Sequence, residues 1–259
     1  MPRWQRITAK TLNKQLKQYG RVVATAATRF FNLNGEIQML NQSNYVPKTL
    51  NDFMFSNPQS KSTLAAIISR KLPFPDSGTS GILLYGPYGT GKTTLARLLP
   101  DWIEQAYGGT TADWDYISCQ QGLRSNLLFS KLETWSSLVH FSESSLAFVV
   151  MDEVDNLPPE AQNSLKAVMN KPKMGFIFTT NKISKIDTAV KDRCHLIEMF
   201  APLSADLLPK LQGMANDANW HGATQDDLLD IANQAQGSYR KMARGVQLAA
   251  IAHEGTETV

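Results

Sequence analysis

The chain has 259 residues, 42% of them hydrophobic and 19% charged, with a formal net charge of +3. That is enough apolar material to bury a core in one large or two smaller domains, and it excludes a disordered tail. No apolar run is long enough to cross a bilayer, the N-terminal stretch is too polar for a secretory segment, and the two cysteines, Cys119 and Cys194, form no CxxC or Cys/His cluster. The sequence therefore predicts a cytoplasmic protein with no membrane partner, disulfide frame or zinc site.

Charge is uneven along the chain. Residues 1–44 hold Arg3, Arg6, Lys10, Lys14, Lys17, Arg21 and Arg29 against Glu36 alone, so the rest of the chain is net acidic. This basic arm suits nucleic acid phosphates or a membrane surface, and the solvated face of a helix accounts for it equally well. Ile7, Leu12, Leu16, Tyr19, Val22 and Val23 recur at loosely helical spacing, interrupted by Gly20, which leaves room for a docked or partner-binding helix. The turn-rich run "QSNYVPKTLNDF" then marks entry to the main domain.

A helix is expected from about Pro58 to Lys71, followed by the linker "LPFPDSGTS". Strand and helix signals then alternate: "GILLY", a helix from Lys92 to the glycine pair Gly108-Gly109, "WDYIS", a helix near Leu123 to Trp135, "SLAFVVMDE", the helix "PPEAQNSLKAVMNK", "GFIFTTN" and "HLIEMF". Such alternation predicts an α/β fold with a mostly parallel sheet covered on both faces. From "APLSADLL" onward the strand signals stop. Three helices are expected, over about 204–217, 225–236 and 238–253, as a small helical appendage.

Between the first strand and its helix lies "GPYGTGKTT", Gly86 to Thr94. The spacing Gly86-x-x-x-x-Gly91-Lys92-Thr93 fits a strand-to-helix phosphate cradle, in which glycines let backbone N–H groups converge on an anion and the helix start adds its positive dipole end. The candidate binding residues are Gly86, Pro87, Tyr88, Gly89, Thr90, Gly91, Lys92, Thr93 and Thr94. The apolar run "LAFVVMDEVD" meets Asp152 and Glu153 where a buried strand should end, at the carboxyl edge of the sheet beside that loop. There Thr93 can ligate Mg²⁺ directly and Asp152 through water, while Glu153 accepts a proton from an attacking water. Asn181, at the end of "GFIFTT", can orient that water because an amide both donates and accepts without neutralising Glu153.

The order of these features, followed by "VKDRC" with Arg193 and "GSYRKM" with Arg240, resembles AAA+ ATPases, and more narrowly the small subunits of sliding-clamp loaders. "YVPKTLNDF" is similar to the family's tyrosine-x-proline lead-in, which places Pro47 at the nucleotide, and "AQNSLKAVMN" to its helix after the acidic pair. The resemblance covers about residues 45–252. It implies a P-loop sheet of order 5-1-4-3-2 between helices, with ATP and Mg²⁺ as cofactors. After the basic arm over 1–44, it implies an ATPase domain over 45–201 and a helical lid over 202–259. Arg193 is by this resemblance an arginine finger acting on a neighbouring subunit's γ-phosphate, and Arg240 a second sensor reporting to the lid. Asp192 stands where the family usually has serine and Val46 where it usually has arginine, and the sequence stops where clamp-loader subunits continue into a helical collar.

The implied function is an ATP-hydrolysing, self-oligomerising switch of DNA metabolism, stimulated by DNA and by assembly, with a sliding clamp or replicative helicase as partner. Arg124, Lys131 and Lys166 are candidate DNA contacts, since their helices should line the inner face of related assemblies. The alternatives are a helicase loader and a regulatory module recruiting a transposase, recombinase or helicase. A protein remodeller lacks a substrate-pulling pore loop here, and a small-molecule kinase would not need the arginine pair or the lid.

Overall fold

The structure, a computed structural model, describes residues 47–76, 78–119, 125–138, 140–202 and 204–254. The basic arm, Tyr45, Val46 and Arg124 lie outside the described residues. Contacts divide the described chain into two compact units, 47–201 and 202–254. No helix among the described residues is long and apolar enough to cross a membrane.

The first unit is built on five strands: β1 (Gly81–Tyr85), β2 (Asp113–Ser118), β3 (Ala147–Asp152), β4 (Met174–Thr180) and β5 (Cys194–Glu198). All pairings are parallel and the order is β2-β3-β4-β1-β5, the arrangement the resemblance implied. Because side chains alternate across a strand, consecutive residues of β1 feed opposite faces. Leu83 packs with Val149, Met151, Phe176 and Phe178 beneath α3 (Ser125–Ser137) and α4 (Pro159–Val168), which supply Leu128, Leu132, Leu165 and Val168. Ile82 and Leu84 pack with Phe148, Val150 and Ile177 beneath α1 (Pro58–Ile68) and α2 (Lys92–Gln105), which supply Leu64, Ile67, Leu95, Leu99 and Ile103. With both faces covered, the central strands have no solvent side, which is why "AFVVM" and "GFIF" read as unbroken apolar runs.

The helices deviate from expectation at their ends. α1 stops at Ile68 rather than Lys71, because Arg70 takes a left-handed φ of 60° and the amides of Lys71 and Leu72 turn back to the Ala66 carbonyl. α3, described from Ser125 to Ser137, runs two residues past the expected end at Trp135, and the expected start at Leu123 lies outside the described residues. A four-residue helix that the sequence pattern did not reveal, α5 (Thr188–Lys191), is started by Asp187, whose carboxylate caps the Ala189 amide.

The second unit contains α6 (Leu208–Asp217), α7 (Gln225–Ala235) and α8 (Tyr239–Glu254). Leu211, Met214, Leu228, Ala232, Met242 and Val246 are among its buried residues at helical spacing, with Trp220. A capping box starts α7: Thr224 Oγ1 accepts from the Asp227 amide, and Asp227 accepts from the Thr224 amide. Gln236 ends it in the left-handed conformation.

Candidate nucleotide site

Register places the candidate residues at one edge of the sheet. Tyr85 is level with Thr180 on one side and Glu198 on the other, and Ser118 is level with Asp152, so the loop after β1, the acids after β3 and Asn181 after β4 leave the sheet together. Gly86 has φ 153° and Gly91 φ 91°. A Cβ on Gly86 would stand 2.5 Å from the Met199 carbonyl oxygen, and one on Gly91 3.3 Å from the Phe53 ring, so both glycines serve backbone shape and close approach. Tyr88 is exposed on the outside of the loop and Thr94 on the helix, whereas Thr90 is buried and donates to the Pro87 carbonyl at 3.1 Å.

Lys92 is buried at the first position of α2, and its ammonium donates to the carbonyls of Gly86 at 2.9 Å and Pro87 at 2.6 Å. The ammonium thus lies inside the loop that the glycines shape. Burial pushes its pKa down to about 8, against the pull of Asp152, Asp155 and Glu153 in the other direction. Phosphate binding needs the charged form. Nucleotide affinity is therefore expected to fall as pH rises through about 8, by about tenfold between pH 7 and 9 as the protonated fraction drops. Fluorescent-nucleotide titration measures this, and a flat profile to pH 9 would contradict the desolvated ammonium described.

Asp152 is the most heavily bonded group of the site. Its Oδ1 accepts from Thr93 Oγ1 at 2.8 Å and also from the Thr179 hydroxyl, and its Oδ2 accepts from Tyr116 Oη at 2.9 Å. The Arg97 guanidinium lies 4.1 Å from the Tyr116 ring centroid and steadies it by a cation–π contact. A threonine hydroxyl that gives its proton to a carboxylate keeps lone pairs for a cation, so Thr93 and Asp152 form a hard oxygen pair that fits a divalent ion such as Mg²⁺. Thr179 also accepts the Glu153 amide at 2.9 Å, while Glu153, at φ 58° and ψ 49°, turns the chain and receives Asn156 Nδ2 on Oε2 at 3.2 Å.

The remaining candidates are carried by other parts of the chain. Pro47 opens the described part of the first unit. Arg193 immediately precedes β5, whose first residue Cys194 is level with Gly81 at the start of β1, so it stands five strand steps or about 16 Å from the edge that carries the loop. Its guanidinium donates to Asn170 Oδ1 at 3.3 Å and to the Ala189 carbonyl at 2.8 Å, both neutral acceptors. Arg240 is exposed in the first turn of α8, in the second unit. Lys131 is paired with Asp115 at 2.7 Å and Lys166 with Asp187 at 3.5 Å. Either would have to exchange a carboxylate for a phosphate in order to contact DNA. Tyr116, Thr179, Asp155 and Asn156 were not foreseen. The two threonines ending an otherwise apolar strand were a readable signal, whereas Tyr116 depends on the β2–β3 register.

A parallel five-stranded sheet with this loop, lysine and acid pair at its carboxyl edge defines a P-loop nucleotide-binding module, and residues 82–202 match the ATPase family associated with various cellular activities (AAA). Over that stretch the chain is similar to AAA ATPase domains. It is similar to the replication factor C small subunit of Thermofilum pendens, with 28% identity over 83% of this chain and 64% of that protein. It is similar also to human replication factor C subunit 5, with 27% identity over 76% of this chain and 56% of that protein. The chain thus spans less than two thirds of the length of these relatives. Among solved structures, a Thermotoga maritima RuvB variant superposes with TM-score 0.58 at 16% identity, covering 77% of this chain and 63% of that one. Caenorhabditis elegans PCH-2 does so with TM-score 0.54 at 16% identity, covering 78% and 70%. Both likenesses speak to the fold.

Proposed function

We propose that the protein hydrolyses ATP as an oligomerising switch of DNA metabolism, in the manner of a clamp-loader subunit. The carrying observation is the separation of its parts: Lys92, Thr93, Asp152, Glu153 and Asn181 gather at one edge of the sheet, while Arg193 stands at the other. An arginine so placed cannot serve the site of its own subunit, so it suits a neighbour's.

Lys92 exchanges its loop carbonyls for the β- and γ-phosphate oxygens of ATP, and the loop amides and the start of α2 complete the cradle. Thr93 directly and Asp152 through water would hold Mg²⁺, which would supply charge neutralisation on those oxygens. Glu153 takes a proton from the attacking water, Asn181 orients that water, and Arg193 of an adjacent copy stabilises the charge that develops on the γ-phosphoryl group. Arg240 carries the nucleotide state to the helical lid, residues 202–259, and Pro47 borders the base at the start of the ATPase domain, residues 45–201. DNA, contacted by the arm over 1–44 and by Arg124, Lys131 and Lys166, favours the assembled ATP form.

Particle imaging of the purified protein with a non-hydrolysable ATP analogue, with and without primed DNA, tests the reading. Nucleotide-dependent rings or filaments that engage DNA are expected. Assembly with ATP but no DNA engagement in any nucleotide state would replace the clamp-loader role by the partner-binding switch, and a monomer throughout would remove both.

A further inference from the structure

The run Asp152-Glu153-Val154-Asp155 ends in an acid for which the chemistry above has no use. Its place in the fold is specific. The β3–β4 ladder has its last pair at Met151 and Phe178, and beyond that point no strand pairing holds the end of β3, which carries Glu153, to the end of β4, which carries Asn181. Side chains continue the join. The Glu153 amide donates to Thr179 Oγ1 at 2.9 Å. The left-handed turn at Glu153 and the single 3-10 turn Val154–Asn156 then swing Asp155 back under β4. There Asp155 Oδ1 accepts from Thr180 Oγ1 at 2.9 Å and from the Asn181 amide at 3.3 Å. Thr180 Oγ1 in turn accepts from the Lys182 amide at 3.0 Å, so one carboxylate oxygen secures, directly or through the Thr180 hydroxyl, the two backbone amides that follow Thr180.

Thr180 is completely buried, and its hydroxyl has no water to turn to if the acceptor is lost. The turn that carries Asp155 also carries Asn156, whose amide reaches the Glu153 carboxylate. Any shift of this turn therefore moves Glu153 and Asn181 relative to each other. A water poised between a base and an orienting amide is sensitive to such a shift, because reaction requires near-attack geometry.

We infer that Asp155 is a positioning residue for ATP hydrolysis: its carboxylate extends the join of β3 and β4 past the last ladder pair and fixes Asn181 relative to Glu153. The inference rests on the proposed roles of those two residues. It concerns acceptor geometry rather than charge, and that distinction is testable, since an asparagine keeps the accepting oxygen and gives up the charge.

The experiment measures kcat, KM for ATP and fluorescent-nucleotide affinity for Asp155→Ala, Asp155→Asn, Thr180→Val, Asn181→Ala and the doubles of Asp155→Ala and Thr180→Val with Asn181→Ala. Asp155→Ala is expected to lower kcat by about 10- to 100-fold with nucleotide affinity unchanged, and Asp155→Asn to stay within about threefold of the parent. In the Asn181→Ala background, Asp155→Ala should cost nothing further, because its effect passes through the residue already removed. Losses that multiply in the double variant, or an Asp155→Asn as slow as Asp155→Ala, would overturn the inference. Should Asp155→Ala fail to bind nucleotide, the Thr180→Val cycle decides by the same criterion, as it removes the stronger of the two bonds and leaves the charge. An Asn181→Ala variant with unchanged kcat removes the role of Asn181, and the inference with it. A slow Asn181→Ala with additive losses removes the inference alone.

Discussion

Lys92→Ala is expected to lose nucleotide binding while Glu153→Gln binds normally and hydrolyses slowly. The Lys92 ammonium is the charge that the glycine loop encloses, held by the Gly86 and Pro87 carbonyls in reach of the phosphate position. Removing it deletes at least two charge-assisted hydrogen bonds to phosphate, which weakens affinity by about 100-fold or more. Glu153 bears no such load. Its backbone is fixed by Thr179 and its carboxylate touches Asn156, so an amide of the same shape keeps the site intact and removes the proton acceptor. A loss of about 100- to 10,000-fold in kcat is the expected consequence. Fluorescent-nucleotide titration separates the two variants, and equal loss of binding in both would show that Glu153 is not the base.

Arg193→Ala should lower hydrolysis by about 1,000-fold or more, as does removal of an arginine that arrives in trans at a phosphoryl group. The decisive measurement is mixing. Arg193→Ala retains its own acids and Glu153→Gln retains its arginine, so a head-to-tail interface that takes the site from the first and the finger from the second is complete. Equal mixing should restore up to about a quarter of parental activity, the share of such interfaces in a random assembly. Parental specific activity should also rise with protein concentration. Absence of rescue, with activity independent of concentration, would show that Arg193 does not act across subunits. Asn170 and the Ala189 carbonyl hold the guanidinium without neutralising it, and so spare it for an incoming phosphate; the neighbouring Asp192 makes neither of these contacts.

The parts of the site that were legible in the sequence are those in which neighbours along the chain remain neighbours in space. Gly86 to Thr93 is one loop and one helix start, and Asp152-Glu153 is one strand end, so residue type and spacing suffice to read them. The alternation of strands and helices announced a parallel sheet for the same reason: each apolar run or amphipathic stretch is a local record of how many of its faces are buried. Helix ends were less legible. The stop of α1 depends on Arg70 adopting a conformation usually left to glycine, held by a Tyr107 ring 4.0 Å below its guanidinium and by the Ala106 carbonyl at 3.5 Å. No local pattern in "ISRKLP" encodes a partner so far along the chain.

Sequence by itself determined the class of chemistry here, a phosphate-binding loop with an acid pair at a strand end, because those functions are written in contiguous residues. Tertiary structure alone decided how the acids are held and which parts can work together. Tyr116, Thr93 and Thr179 converge on Asp152 from three elements, and Asp155 reaches Thr180 and Asn181 from a fourth, through contacts that span 25 to 59 positions of sequence. Arg193 was readable as a candidate, but its distance from the loop is fixed by the β1–β5 register, which pairs Gly81 with Cys194 and Tyr85 with Glu198. The physical reason is common to all of these. A side chain's type carries its chemistry, whereas its partners are set by strand register and by burial, which depend on the whole sheet at once.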